Sequence, residues 1–182
     1  MNSSKCYTVS KPTLKPKVNL TRQEYHNAVD AYSARLFRFA FKVLRNTDDA
    51  RDIVQDCYQR LWENRNEVLF EKCRQWLFTV AHNAMMNLLK RQNRVKLVEN
   101  YQHLDMPGNE QQYDLRELLD KCLAELPAVQ QSVVLLRDLE GYDYQEIGNI
   151  LSLNESQVKV YLFRARQKIK NYIKDLTVLS DE

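Results

Sequence analysis

Asn83 and Asn87 stand four residues apart, between Thr79 and Arg91 at the same interval, so all four fall on one stripe of a helix. The stretch from Arg74 to Lys96 that carries them holds Arg74, Lys90, Arg91, Arg94 and Lys96 and no acid. Asparagine is a mediocre helix former, and its side chain both donates and accepts hydrogen bonds. Amides along a basic helix therefore suit hydrogen bonding to bases or sugars, the alternative being an ordinary solvated face. A second constellation lies near the C-terminus. Asp143 precedes Glu146 by three residues and Asn154 precedes Gln157 by three, so two capping-box-like pairs start two short helices only a turn apart. The spacing predicts a helix-turn-helix, with Ile147, Ile150, Leu151 and Leu153 locking the pair and Gly148 leaving room for close approach of the helices. In the second helix Val158, Leu162, Ala165 and Ile169 recur at core spacing, while Lys159, Arg164, Arg166, Lys168 and Lys170 remain for solvent or phosphate.

No chemistry of bond-making is visible. Paired carboxylates, a nucleophile beside a base and a phosphate loop are all missing from the sequence. The four cysteines (Cys6, Cys57, Cys73, Cys122) are widely separated and lack zinc spacing, so no metal or cofactor is expected and reduced thiols are. His26, His82 and His103 are isolated and read as surface or half-buried side chains. The formal net charge of +3 identifies nothing by itself, but its distribution is uneven. Asp48, Asp49, Asp52 and Asp56 crowd one predicted helix, which suggests an acidic surface for one partner and two basic surfaces for another. No apolar run reaches membrane-span length and no signal-peptide core opens the chain, so a cytoplasmic protein is expected.

These residues need helices to hold them. With 44% hydrophobic residues, 3 Gly and 4 Pro, and long amphipathic stretches in place of alternating ones, the 182-residue chain is predicted to be all-α. It divides into two small helical domains joined by a flexible linker, the second containing the helix-turn-helix. Residues 1–20 read as a polar, lysine-bearing tail. A first domain over 21–95 comprises a long helix after Thr21, a second capped by Thr47 and running to about Asn64, and a third from about Cys73 to Asn93. Residues 96–114 carry Pro107 and Gly108 and read as the linker. The second domain covers 115–176, with Leu115, Leu118, Leu119, Cys122, Leu123 and Leu126 on one helix, Pro127 opening the next, and Val129, Val133, Val134, Leu136 and Leu139 continuing the core up to Gly141. Residues 177–182 form a short tail.

From about Tyr25 to Ile173 the chain resembles a bacterial sigma factor of the extracytoplasmic-function (ECF) group, the small two-domain members of the sigma-70 family. Four segments in order carry the resemblance: Ala50 to Asp56 followed by Leu61, Trp62 and Glu63; Trp76 to Asn83 running into Lys90 and Arg91; Leu126 with Pro127; and Gly141 to Ile147 continuing to Val158 through Arg166. The resemblance implies that Asp52, Gln55 and Asp56 meet the clamp helices of the largest subunit of core RNA polymerase, as carboxylates suited to partner arginines. It implies that Asn83 and Asn87 contact the melted -10 strand, that Arg91 and Arg94, with Lys96, hold phosphates, and that the loop from Asn64 to Lys72 helps capture a flipped base. Lys159, Val160, Phe163 and Arg164 take the positions that approach the major groove of a duplex -35 element, flanked by Arg166 and Lys168 on the backbone. Three residues depart from the usual pattern: Val160 where a small polar residue is common, Ser152 where the turn commonly has glycine, and Asn87 where many relatives carry aspartate. The implied partners are core polymerase, promoter DNA and an anti-sigma factor, commonly membrane-bound, with no small-molecule substrate. The alternative reading is an autonomous dimeric helix-turn-helix regulator, which would require a palindromic site.

Overall fold

The structure is a computed structural model that describes residues 20–99 and 115–179, with side chains placed within 20–94 and 118–174. Every described element is helical: α1 (Arg22–Leu44), α2 (Thr47–Glu63), α3 (Cys73–Glu99), α4 (Leu115–Ala124), α5 (Ala128–Val134), α6 (Tyr144–Leu151) and α7 (Glu155–Leu179). A single 3-10 turn, Phe70–Lys72, leads into α3, and a π-helical stretch, Leu135–Leu139, follows α5. The predicted tail up to Asn19 and the linker between 100 and 114 lie outside the described residues, as do 180–182.

The helix starts follow the chemistry of capping. Thr21 accepts from the Glu24 amide at 3.2 Å while Glu24 accepts from the Thr21 amide at 2.8 Å, a complete capping box. For α2 the cap is Asn46, which accepts from the amides of Asp48 and Asp49; Thr47, predicted as the cap, is the first helical residue instead. An asparagine in extended conformation reaches both free amides, so it takes the role one position earlier. Leu20 also departs from expectation: it is buried, and its amide bonds the Arg65 carbonyl at 2.7 Å, so the first core begins before the helix does. The α3 helix runs six residues past the predicted end at Asn93, through the first part of the expected linker.

Helices α1, α2 and α3 pack around Leu36, Phe39, Leu61, Leu77, Phe78 and Met85, all fully buried. Val68 anchors the loop between α2 and α3 in this core, while Leu69 remains exposed beside it. The second half gathers Val133, Leu136, Ile147, Ile150, Val158 and Leu162. Leu119 and Leu139, predicted as core, are exposed, because each falls on the outward side of its turn while Cys122 and Leu135 take the buried positions. Gly141, at φ 76°, ends the preceding helical stretch in the left-handed region, where an amide to carbonyl bond from Tyr142 to Leu136 at 3.0 Å closes the terminus. The two halves are not separate bodies: α6 packs on α3, and α4 and α5 touch α1.

Candidate nucleic-acid interface

The polar stripe of α3 is exposed at Asn83, Asn87, Arg91 and Arg94, while Thr79 is half-buried and bonds back to the Gln75 carbonyl at 3.0 Å. Asn83, Asn87 and Arg91 form one wall of a groove whose other wall is α2, with Asp49, Asp52, Asp56 and Arg60; Ile53, Ala84 and Leu88 line its apolar part. The amides of Asn83 and Asn87 have no hydrogen-bond partner among the described residues, so they are available to a ligand. Arg94 lies beyond the groove. Gln55 is exposed on α2 but is not among the groove residues. The acidic and amide-bearing stripes, read from sequence as separate surfaces, therefore face each other across one cleft. Asp56 pairs with Arg60 at 2.9 Å, and Gln92 donates to Asp49 at 3.2 Å, tying α3 to α2 at the groove's end. Asp49 was already part of the acidic stripe read from sequence; Arg60 is an addition, one helical turn beyond Asp56.

At the other end, Asp143 and Glu146 complete the capping box of α6, and Asn154 and Gln157 exchange amide bonds at 2.8 and 2.9 Å to start α7. Ser152 closes α6 in the left-handed region at φ 57°. Gly148 has a different reason from the predicted one: a Cβ there would sit 2.6 Å from the Leu153 carbonyl oxygen, so the glycine makes room for the turn's own backbone. Val158, Leu162 and Ala165 are buried, which turns Lys159, Val160, Phe163 and Arg164 outward. Phe163, at 65% exposure, and Val160 are large apolar groups in water. Lys159 pairs with Glu155 at 2.6 Å and lies 5.6 Å from the Tyr144 ring centre; the Glu155 hydrogen bond, then its charge, raises the lysine's pKa. Arg166 pairs with Asp138 at 2.7 Å, and Lys168 donates to the Glu125 carbonyl, so both are held within the second half. Tyr144, Gln167 and Lys170 share the surface cleft with Lys159, Phe163 and Arg166; Lys170 was among the basic residues left for solvent or phosphate, and Gln167 follows Phe163 by four residues, a spacing that could have found it.

Two thiols and one imidazole away from these surfaces are held in their neutral forms by burial. Burial pushes the Cys57 thiol up to about 12, helped by the Asp56 charge, and pushes Cys73 up to about 11, so both stay protonated. His82, expected at the surface or half-buried, is buried at 4% exposure, and desolvation lowers its pKa to about 4.

Known proteins match both halves. The family profile described as Sigma-70 region 2 matches residues 28–95, and that described as Sigma-70, region 4 matches residues 116–169. The ECF RNA polymerase sigma-E factor of Haemophilus influenzae is 30% identical over 181 residues, covering 89% of this chain and 90% of that protein. The chain belongs to the ECF sigma factors of the sigma-70 family. A second relative, the ECF RNA polymerase sigma factor SigE of Mycolicibacterium smegmatis, is 29% identical over 156 residues; the match takes in 80% of this sigma factor and 60% of the relative's length. The fold is that of the sigma factor RpoE from Bartonella quintana, solved in complex with the anti-sigma factor NepR, with a TM-score of 0.70 at 22% identity over 84% of this chain and 98% of that one. In this sigma factor the region 2 match contains the α2–α3 groove and the region 4 match contains the helix-turn-helix.

Proposed function

We propose that this sigma factor joins core RNA polymerase through the acidic stripe of α2, at the rim of the α2–α3 groove, reads a duplex -35 element with α7 and captures the melted -10 strand on α3. The observation that carries the reading is the pairing, in one chain, of an amide-lined groove with a helix-turn-helix whose outward face is basic and apolar. Asp52, Gln55 and Asp56 are the proposed polymerase contacts, with Asp52 and Gln55 exposed and Asp56 shared with Arg60. Carboxylates there set orientation and register against basic polymerase side chains more than they set raw affinity. Lys159, Val160, Phe163 and Arg164 are the proposed base-edge readers, Val160 offering apolar contact to a thymine methyl; Arg166 and Lys168 lie beside the backbone once their internal partners are exchanged for phosphates.

Opening the -10 element costs unpairing and unstacking, roughly a few kcal/mol per flipped base. Asn83 and Asn87 recover part of this by bonding bases of the unpaired strand, Arg91 and Arg94 neutralise phosphates, and the loop around Leu69 receives the displaced base. The protein makes and breaks no covalent bond; single-strand binding shifts the duplex toward the open state. It acts where polymerase acts, in the cell interior. Capture of the Bartonella relative with an anti-sigma factor supports a partner of the same kind for this chain, one that withholds it from polymerase. Run-off transcription with purified core polymerase on fragments of the source genome tests the reading: new start sites preceded by shared -35 and -10 sequences are expected. DNA binding without polymerase, and no new starts, would transfer the assignment to the autonomous dimeric regulator.

A further inference from the structure

Between Glu155 and Lys170, α7 carries a single acid, set ahead of its bases. Glu155, Lys159 and Phe163 follow one another at intervals of four, so they share one line of the helix, and all three are exposed. Glu155 stands in the first turn, where a carboxylate ordinarily serves the free amides of the helix end. Here uncharged groups do that work: Asn154 accepts from the Gln157 amide at 2.8 Å, and the Gln157 side chain accepts from the Asn154 amide at 2.9 Å. The Glu155 carboxylate is turned instead to the Lys159 ammonium, 2.6 Å away.

Lys159 is held from a second side. Its ammonium lies 5.6 Å from the centre of the Tyr144 ring; the Arg137 guanidinium covers the same ring at 4.8 Å and donates to the Tyr142 carbonyl at 2.8 Å. An acid on a surface that meets DNA repels phosphate and lowers affinity for every sequence alike. A helix built for affinity alone gains nothing from it. Specificity, however, is a difference of affinities, and a group that penalises the wrong partner widens that difference.

The dimensions of the ion pair say which partner is wrong. An ammonium and a carboxylate 2.6 Å apart present donors and an acceptor side by side. In the major groove each base pair presents an amino donor and a keto acceptor, themselves joined by an N–H···O bond of about 2.9 Å: N4 and O6 for C with G, N6 and O4 for A with T. The two sets of groups match edge to edge. The amino group donates to Glu155 while Lys159 donates to the keto oxygen, and four hydrogen bonds close a ring. Reversing the base pair sets the keto oxygen against the carboxylate and the amino group against the ammonium. Resting on the reading that α7 lies in the major groove of the -35 element, we infer that Glu155 is a specificity-determining residue: with Lys159 it reads the polarity of one base pair, keto against the lysine and amino against the glutamate. Guanine is preferred to thymine as the keto base, because it adds N7 as a second acceptor for the ammonium. Tyr144 acts as a positioning residue for the pair.

The test uses the full-length protein with core polymerase on a promoter found in the run-off screen, each base pair of its -35 element replaced in turn by the other three. Wild type is expected to show one position at which one keto and amino orientation outperforms its reverse by roughly 10-fold, within the range that a single base-edge pair supplies. Glu155→Ala, and Glu155→Gln, whose amide both donates and accepts, should bring that ratio below about 3-fold at that position alone, chiefly by raising transcription from the reversed pair. Tyr144→Leu, which leaves acid and base in place, should give an intermediate ratio. A role confined to the helix end has a different signature, since transcription from all templates would then fall together. That uniform loss, a wild type with no such position, or an unchanged preference in both Glu155 variants would overturn the inference while the transcripts themselves still supported the promoter assignment. A screen that yields no start site would overturn the promoter assignment and this inference with it.

Discussion

On the proposed reading single side chains carry the DNA and polymerase contacts, and their roles should separate by mutation. Asn83 and Asn87 face the α2–α3 groove as unpaired amides, whereas nothing in either core depends on them. Alanine at both is expected to reduce open-complex formation by 10-fold or more, about 1.4 kcal/mol or above, while core-polymerase association measured by native gel or size exclusion stays unchanged; loss of that association would remove them from the -10 assignment. Asp52→Arg with Asp56→Arg should do the reverse, abolishing co-elution with polymerase while the thermal melt of the free protein moves little, and retained co-elution would refute the contact. His82 makes a stability prediction. Its folded-state pKa is lowered to about 4 from an unfolded value of 6.5, so the unfolded chain binds the extra proton first as pH falls. The stabilisation is thus complete above pH 6.5, falls between about 6.5 and 4, and amounts to roughly 3 kcal/mol over that window. Urea unfolding at pH 7 and pH 4.5 should show most of that loss in wild type and a smaller one in His82→Leu.

At the level of elements, the turn between α6 and α7 is the most constrained piece of backbone. Gly148→Ala would drive a methyl into the Leu153 carbonyl, a backbone atom with no flexible end to move, so a loss of about 2 kcal/mol or more and a weakened -35 contact are expected from chemical denaturation and duplex binding. Ser152→Gly should do the opposite, stabilising by up to about 1 kcal/mol because the cap already sits at φ 57°; a lower melting temperature in that variant would show that the serine side chain matters to the turn. These elements were readable in advance to different degrees. The capping pairs at Asp143 and Asn154 announce α6 and α7 because a cap is a local event, settled within three residues. The inward line of Val158, Leu162 and Ala165 is equally local. Gly148 was singled out for the wrong reason, since the atom it avoids comes from the turn and not from the facing helix. Leu119 and Leu139 misled because an apolar residue on a short helix does not reveal which side the neighbouring helix will cover. Thr47 lost the cap to Asn46, one residue earlier, a shift within the ordinary uncertainty of helix ends.

For the whole molecule the sequence was least informative. The facing of the acidic stripe of α2 by the amides of α3, and the burial of Glu140 between Arg35 and Arg74, join residues up to 105 positions apart that no local pattern connects. Glu140 reads as an ordinary polar residue before a helix-ending glycine, and only packing makes it the centre of the junction. That junction sets the cooperativity of unfolding. The buried apolar residues of the two halves join in one cluster through the packing of α6 on α3, and the Glu140 pairs, the Lys42 and Asp120 contacts and the Phe78 to Tyr142 packing add to that coupling. Removing one member of a buried ion pair typically costs about 3–5 kcal/mol, because the charges left behind have lost their partner and their water. The loss falls on the coupling, since Arg35 and Arg74 regain water when the halves part. Differential scanning calorimetry at low salt is accordingly expected to give one endotherm for wild type and two for Glu140→Ala, the second half melting first because fewer of its residues are buried and α4, α5 and α6 are short. A single endotherm in the variant, unshifted from wild type, would mean that apolar packing alone couples the halves and that the acid contributes nothing to holding them together.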